Sequence, residues 1–296
     1  MECLKPVMRR IKGTYPPEYT MTPCGMCTNC RLNRAHEYGA RIYHESLMHE
    51  FNTFVTLTYD DEHLPIGSKG LSTIDKNAIR KFMADVRARI YPDKVRFFGC
   101  AEYGSWKNTH RPHYHFALFG IGLYDSRLFS NHVPRDDGFV VQCPCWKNGD
   151  VHVGKLEIGS SNYVAEYTLK KVLGKNAQEY YTNLGIEREF ARMSLKPGLG
   201  YDWLMKNKDD LLNHGFFIIQ GRKQVLPRYY VEKLGYKETD KYFNDVLKFQ
   251  EKLFNNFLSN TDAVENFQRY IKNRHEHYDQ LKFNHDFMER IKKGRN

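Results

Sequence analysis

The chain has 296 residues, 41% of them hydrophobic, so one or two folded domains with a sizeable core are expected. Lys and Arg number 45 against 35 Asp and Glu, and the resulting formal charge of +10 favours a polyanionic partner whose phosphates release condensed counterions on binding. No run approaches the roughly 18 apolar residues of a membrane span, and the opening MECLKPVMRRIKG lacks a hydrophobic leader segment, so no membrane partner is expected and the cytoplasm is the expected compartment.

In chain order, the first feature is Cys24-Gly-Met-Cys27-Thr-Asn-Cys30, three thiols at two-residue gaps with Cys3 available as a fourth. With seven cysteines and no leader, these read as reduced thiols or metal ligands and not as a disulfide framework. The spacing suits a structural zinc site of four cysteines. It also suits plain thiols, or an iron–sulfur cluster whose usual downstream fourth cysteine is missing. Residues 31–50, with Arg31, Arg34 and Arg41, are expected to be helical and to offer phosphate contacts. FVTLTY (54–59) reads as a strand, because β-branched and aromatic residues fit a pleated surface.

Over 75–90, Ile79, Phe82, Met83, Val86 and Ile90 recur at helical spacing, with Asp75 as the expected N-cap. KVRFFGCAEY (94–103) and RPHYHFALFG (111–120) flank the turn-rich GSWKNTH and predict an antiparallel hairpin. Cys143 and Cys145, in CPCW, are expected to be packed thiols. VHVGKLEI (151–158) predicts a strand, followed by a helix capped by Ser160, Ser161 or Asn162 and ended by Gly174. FFIIQGRKQVLPRYY (216–230) predicts a last hairpin or strand. Between Tyr236 and Lys293 there is neither Gly nor Pro, as expected for long helices. The fold class is therefore α+β, an antiparallel sheet with flanking helices. One domain is expected over 1–235, including a Cys-rich segment over 1–35, followed by a helical extension over 236–296.

Two stretches carry reactive groups. Side chains alternate along a strand, so His113 and His115 share one face while Tyr114, Phe116 and Leu118 take the other. Two imidazoles on one face suit a divalent metal, and the facing strand offers Glu102 as a third ligand. An oxygen beside two nitrogens moves the preference towards Mg²⁺ or Mn²⁺, which polarise a phosphodiester. The second stretch is Tyr163-Val-Ala-Glu-Tyr167-Thr-Leu-Lys170-Lys171. At helical spacing Tyr163, Tyr167 and Lys170 lie on one side and Ala165, Leu169 and Val172 on the other. An aromatic pair at this spacing also serves packing. As a nucleophile, a tyrosine of ordinary pKa about 10 needs a neighbouring cation, which Lys170 and a metal both supply.

RPHYHFALFG, the upstream FVTLTYDDEHLP, CAEYG and YVAEYTLKK, in this order, resemble the HUH endonucleases, and specifically the replication initiators of small single-stranded DNA phages, the Microviridae of gokushovirus type. The resemblance covers residues 1 to about 230, including CGMCTNCR and LPRYY. It implies an HUH nicking domain in which His113 and His115 bind the metal and a tyrosine of the YVAEY pair attacks DNA. In related two-tyrosine enzymes the nucleophiles alternate, so Tyr163 and Tyr167 would exchange roles, and Lys170 or Lys171 would match the lysine that follows the family's tyrosine. The expected partner is single-stranded DNA at a replication origin, in the cytoplasm of a bacterial host. No Gly-x-x-x-x-Gly-Lys-Ser/Thr loop occurs, so strand separation is expected to depend on a host helicase. Two other readings use the same residues: a non-catalytic, zinc-containing single-stranded nucleic-acid-binding protein, and an HUH relaxase or transposase.

Overall fold

A two-stranded antiparallel ribbon, β1 (Val7–Arg10) with β2 (Tyr19–Thr22), precedes the cysteine cluster and leads into helix α1 (Thr28–Ser46). The structure is a computed structural model that describes residues 7–10, 19–104, 110–157 and 177–235, with side chains from residue 22 onward. After α1 come β3 (Asn52–Leu57), α2 (Ala78–Ile90), β4 (Arg96–Tyr103), β5 (Pro112–Phe119), β6 (Ser130–Arg135), β7 (Gly138–Gln142) and β8 (Val151–Lys155). The chain resumes with α3 (Ala177–Leu184), β9 (Phe190–Met193), α4 (Tyr201–Lys206), α5 (Lys208–His214), the pair β10 (Phe216–Ile219) and β11 (Arg222–Val225), and α6 (Arg228–Leu234).

Seven strands form one antiparallel sheet in the order β6-β7-β8-β3-β5-β4-β9, as expected of the α+β class. Its two faces are covered differently. Val55, Leu57, Tyr114, Phe116, Val151 and Val153 make one continuous apolar face, all buried, against α2. Phe82 of α2 meets Phe116 at a ring separation of 4.9 Å, and truncating an aromatic so deeply buried costs roughly 3–5 kcal/mol. The opposite face is polar towards one end. There α1 lays Tyr38 on Phe98 at 5.5 Å, while the alternating burial of β3 leaves Asn52, Phe54 and Thr56 half-buried.

The C-terminal third locks onto α1 through two buried polar residues. His44 stacks on Trp203 of α4 at 3.5 Å and its Nδ1 lies 3.0 Å from the Tyr230 hydroxyl of α6. Burial without a compensating charge pulls the His44 pKa down to about 3. Glu45 meets Arg96 of β4, His49 at 3.2 Å and the Gly200 amide at 2.6 Å. Burial alone would raise its carboxyl, but these hydrogen bonds hold it below the ordinary value. Gly200 is required: its φ is +78°, and a Cβ there would lie 2.0 Å from the Tyr230 hydroxyl oxygen.

Several boundaries differ from the sequence expectation for local reasons. Asp75 is not the N-cap of α2. Its carboxylate accepts the Asn77 amide at 2.8 Å, which makes a turn first and starts the helix at Ala78 with Asn77 as cap. β10 and β11 form the expected hairpin around Gln220-Gly221, but Pro227 then caps α6, so Arg228, Tyr229 and Tyr230 are helical and not strand. β6, β7 and β9 were not expected. The helix expected after Ser160 and the extension over 236–296 lie outside the described residues. No helix among the described residues is long and apolar enough to cross a membrane.

Candidate functional site

The β4–β5 register sets the site. Glu102 pairs with His113 and Cys100 with His115, and β3 pairs Thr56 with His115 on the other side. Directly paired residues share a face, so Thr56, His113, His115 and Glu102 stand on the polar face opposite α2. Because β5 lies between β3 and β4, a ladder on each flank fixes the histidine strand, and a one-residue slip would send both imidazoles into the aromatic core.

His115 and Glu102 are brought together. The His115 Nε2 atom lies 3.0 Å from Oε1 of Glu102, and both residues are buried. That separation is a hydrogen bond when Nε2 carries the proton. It also equals the edge between adjacent ligands of an octahedral ion with bonds of about 2.1 Å, which is about 3.0 Å. The imidazole-plus-carboxylate donor set therefore fits a divalent ion. His113 is half-buried on the same face, its ring parallel to that of His115 within 17° at 6.3 Å between centroids. It does not close a tight three-donor cluster with the other two. Among the described residues the compact three-donor group is Cys24, Cys27 and Cys30.

The Thr56 hydroxyl lies 3.0 Å from Nδ1 of His115. For Nε2 to present a lone pair, Nδ1 must carry the hydrogen and donate it to Thr56, so the threonine selects tautomer and ring orientation together. Thr56→Val is expected to weaken divalent-ion affinity by about 10- to 100-fold, and Thr56→Ser to restore most of it, as read by Mn²⁺ titration. Equal affinities in all three proteins would remove Thr56 from this role.

Phe54, two residues before Thr56, stands on the same half-open face with its ring 5.9 Å from that of His115 and nearly parallel to it. His152 of β8 pairs with Thr56 and bonds Asp137 at 3.0 Å. None of Thr56, Phe54 and His152 was singled out in the sequence. The alternation within FVTLTY was the available signal, since it predicts which side chains accompany the histidines once β3 is known to neighbour β5.

Tyr114, between the two histidines, faces the core. Its hydroxyl donates to the Asp75 carbonyl at 3.1 Å, accepts the Asp75 amide at 2.8 Å and meets the Tyr59 hydroxyl at 3.3 Å. Burial pushes its phenol far above the ordinary value, and that of Tyr59 up to about 12, so neither is an attacking group. His110, at the end of the hairpin, stacks flat on Tyr103 at 4.5 Å, and burial lowers its pKa to about 4. Of the three arginines expected to meet phosphate, Arg34 is exposed. Arg41 is committed elsewhere: its Nε donates to the Leu199 carbonyl at 3.1 Å and its guanidinium lies 4.2 Å from the Tyr229 ring centre. Cys143 and Cys145 are buried beside Trp146. Tyr163, Tyr167, Lys170, Lys171 and Cys3 lie outside the described residues.

A family model described as a replication-associated protein of the ORF2 type matches residues 52–172, the span from β3 past the hairpin and β8. The chain is 28% identical over 302 residues to replication-associated protein VP4 of Bdellovibrio phage phiMH2K, covering 93% of this chain and 90% of that one. It is 29% identical over 241 residues to replication-associated protein ORF2 of Spiroplasma virus 4, covering 76% and 71%. It belongs with the replication-associated proteins of Microviridae-like phages. A third relative, replication-associated protein ORF4 of Chlamydia phage 1, is 27% identical over 72% of this chain and 53% of its own length. No solved structure matches. The span of this replication-associated protein that the family model matches includes the whole His113–His115–Glu102 hairpin and the YVAEYTLK stretch up to Val172.

Proposed function

We propose that this protein is a metal-dependent endonuclease and nucleotidyl transferase that nicks single-stranded origin DNA and rejoins the ends in rolling-circle replication. The observation that carries the reading is the His115–Glu102 contact at 3.0 Å, on a half-open sheet face that also bears His113. His113, His115 and Glu102 would hold Mg²⁺ or Mn²⁺, which when bound polarises a phosphodiester. Thr56 keeps the His115 ring turned so that Nε2 faces Glu102. Phe54 offers a flat surface on which an unpaired base can stack beside the scissile phosphate.

The nucleophile is assigned to Tyr163 or Tyr167. The phenolic oxygen attacks phosphorus, the bond to the 3′ oxygen breaks, and the phenolic proton leaves to solvent. The products are a 5′-phosphotyrosyl ester and a free 3′-hydroxyl, so the bond energy is retained for rejoining and no nucleotide is consumed. Lys170 and Lys171 are assigned to stabilise the phenolate and the phosphate charge. The names of the relatives support a role in phage replication, which makes origin DNA the natural substrate and the cytoplasm of a bacterial host the natural site of action. Strand opening is assigned to a host helicase, and residues 236–296 to a helical extension.

The test is a denaturing gel. Incubation with single-stranded origin DNA and Mn²⁺ is expected to give an SDS-resistant protein–DNA adduct, absent with EDTA and absent when Tyr163 and Tyr167 are both changed to Phe. Cleavage that persists without either phenol sinks the tyrosine mechanism. A protein that binds the DNA tightly in every variant and never cuts it is a nucleic-acid-binding protein instead.

A further inference from the structure

The three N-terminal thiols form a unit separate from the hairpin. The sulfurs of Cys24, Cys27 and Cys30 all lie within 4.8 Å of one another, with the Cys24 and Cys30 sulfurs 4.0 Å apart. A disulfide would need about 2.05 Å, and no disulfide links these residues. Zinc–sulfur bonds of about 2.3 Å in a tetrahedron put neighbouring sulfurs about 3.8 Å apart. The cluster thus has the dimensions of a metal's coordination edge.

Two further features favour thiolates at this place. The backbone amides of Met26 and Cys27 both donate to the Cys24 sulfur, at 3.4 and 3.2 Å, which stabilises negative charge on it. Cys27 is the N-cap of α1 and Cys30 lies in its first turn, where the positive end of the helix lowers thiol pKa values, and no acidic residue of that turn competes for the amides.

The fold also needs a cross-link here. The β1–β2 ribbon has four residues per strand and pairs only with itself, a size that is marginal in water unless something fixes it. Its register ends at Val7 opposite Thr22, so the chain entering β1 and the chain leaving for Cys24 emerge at the same end. That geometry recommends Cys3 as the fourth ligand.

We infer that Cys24, Cys27 and Cys30 bind a structural zinc ion that fastens the N-terminal ribbon to the start of α1. Elemental analysis of the purified full-length protein, reduced and dialysed without chelator, is expected to find one zinc per chain. Cys24→Ser, Cys27→Ser and Cys30→Ser are each expected to reduce this at least tenfold, whereas the double variant His113→Ala, His115→Ala retains it. Replacing zinc by Co²⁺ in the unaltered protein is expected to give intense thiolate charge-transfer absorption and tetrahedral ligand-field bands. This arm needs no variant to fold. A metal-free protein with fully reduced thiols, zinc retained by the cysteine variants, or a brown iron–sulfur chromophore would each overturn the inference. None of these outcomes bears on nicking at the hairpin.

Discussion

His115→Ala is expected to lower the rate of protein–DNA adduct formation by about a hundredfold or more at saturating DNA. Losing one ligand to the proposed ion removes several kcal/mol of charge stabilisation, and each 1.36 kcal/mol or so is tenfold in rate. Glu102→Gln separates charge from shape. The amide can still meet the His115 nitrogen but no longer neutralises a cation, so the expected defect is partly recovered by raising Mn²⁺, whereas that of His115→Ala is recovered less. Single-turnover kinetics over a range of Mn²⁺, with circular dichroism as the control for folding, read both. A folded His115→Ala protein that cuts within threefold of the parent would remove this residue from the chemistry.

The second large effect is on stability in acid. His44 and His110 are held neutral by burial, with pKa values near 3 and 4 against about 6.5 in an unfolded chain. A depressed folded value means that the unfolded chain binds more protons between the two values. The stability is therefore complete above about pH 6.5 and is lost progressively as the pH falls towards 4 and then 3. Each histidine contributes a slope of up to about 1.4 kcal/mol per pH unit, so the pair removes several kcal/mol, a large share of an ordinary folding free energy. Urea midpoints measured at intervals from pH 7 to pH 4 are expected to fall steeply, and His44→Phe to flatten the decline because Phe cannot titrate against Trp203 and Phe217. Parallel declines in parent and variant would show that His44 does not control the window.

The part of the site legible in the sequence is the part set by period two. In PHYHFALF the alternation alone places His113 and His115 on one side and Tyr114 and Phe116 in the core, and the turn residues between the strands bring CAEY against it. Thr56 and Phe54 were not legible as site residues, because their place beside His115 depends on β3 pairing with β5 from far along the chain. The same limit hid β9, whose four residues Phe190–Met193 have no periodicity of their own and become a strand by joining the free edge of β4. Asp75 shows the reverse error: its residue type suggested a cap, but a carboxylate two residues ahead of a backbone amide can serve a turn equally well. Arg41 looked like a phosphate contact by charge, yet the carbonyl of Leu199 and the ring of Tyr229 claim it, and only tertiary packing reveals such partners.

β8 ends at Lys155, and the chain rejoins the fold at α3, where Ala177, Tyr181 and Leu184 are buried. The stretch between them, which carries both candidate phenols, is thus moored at each end to the body that bears the hairpin. On the proposed chemistry, a strand esterified to either phenol stays leashed beside the other cut end. Circle closure is then a first-order event whose speed should not change on dilution.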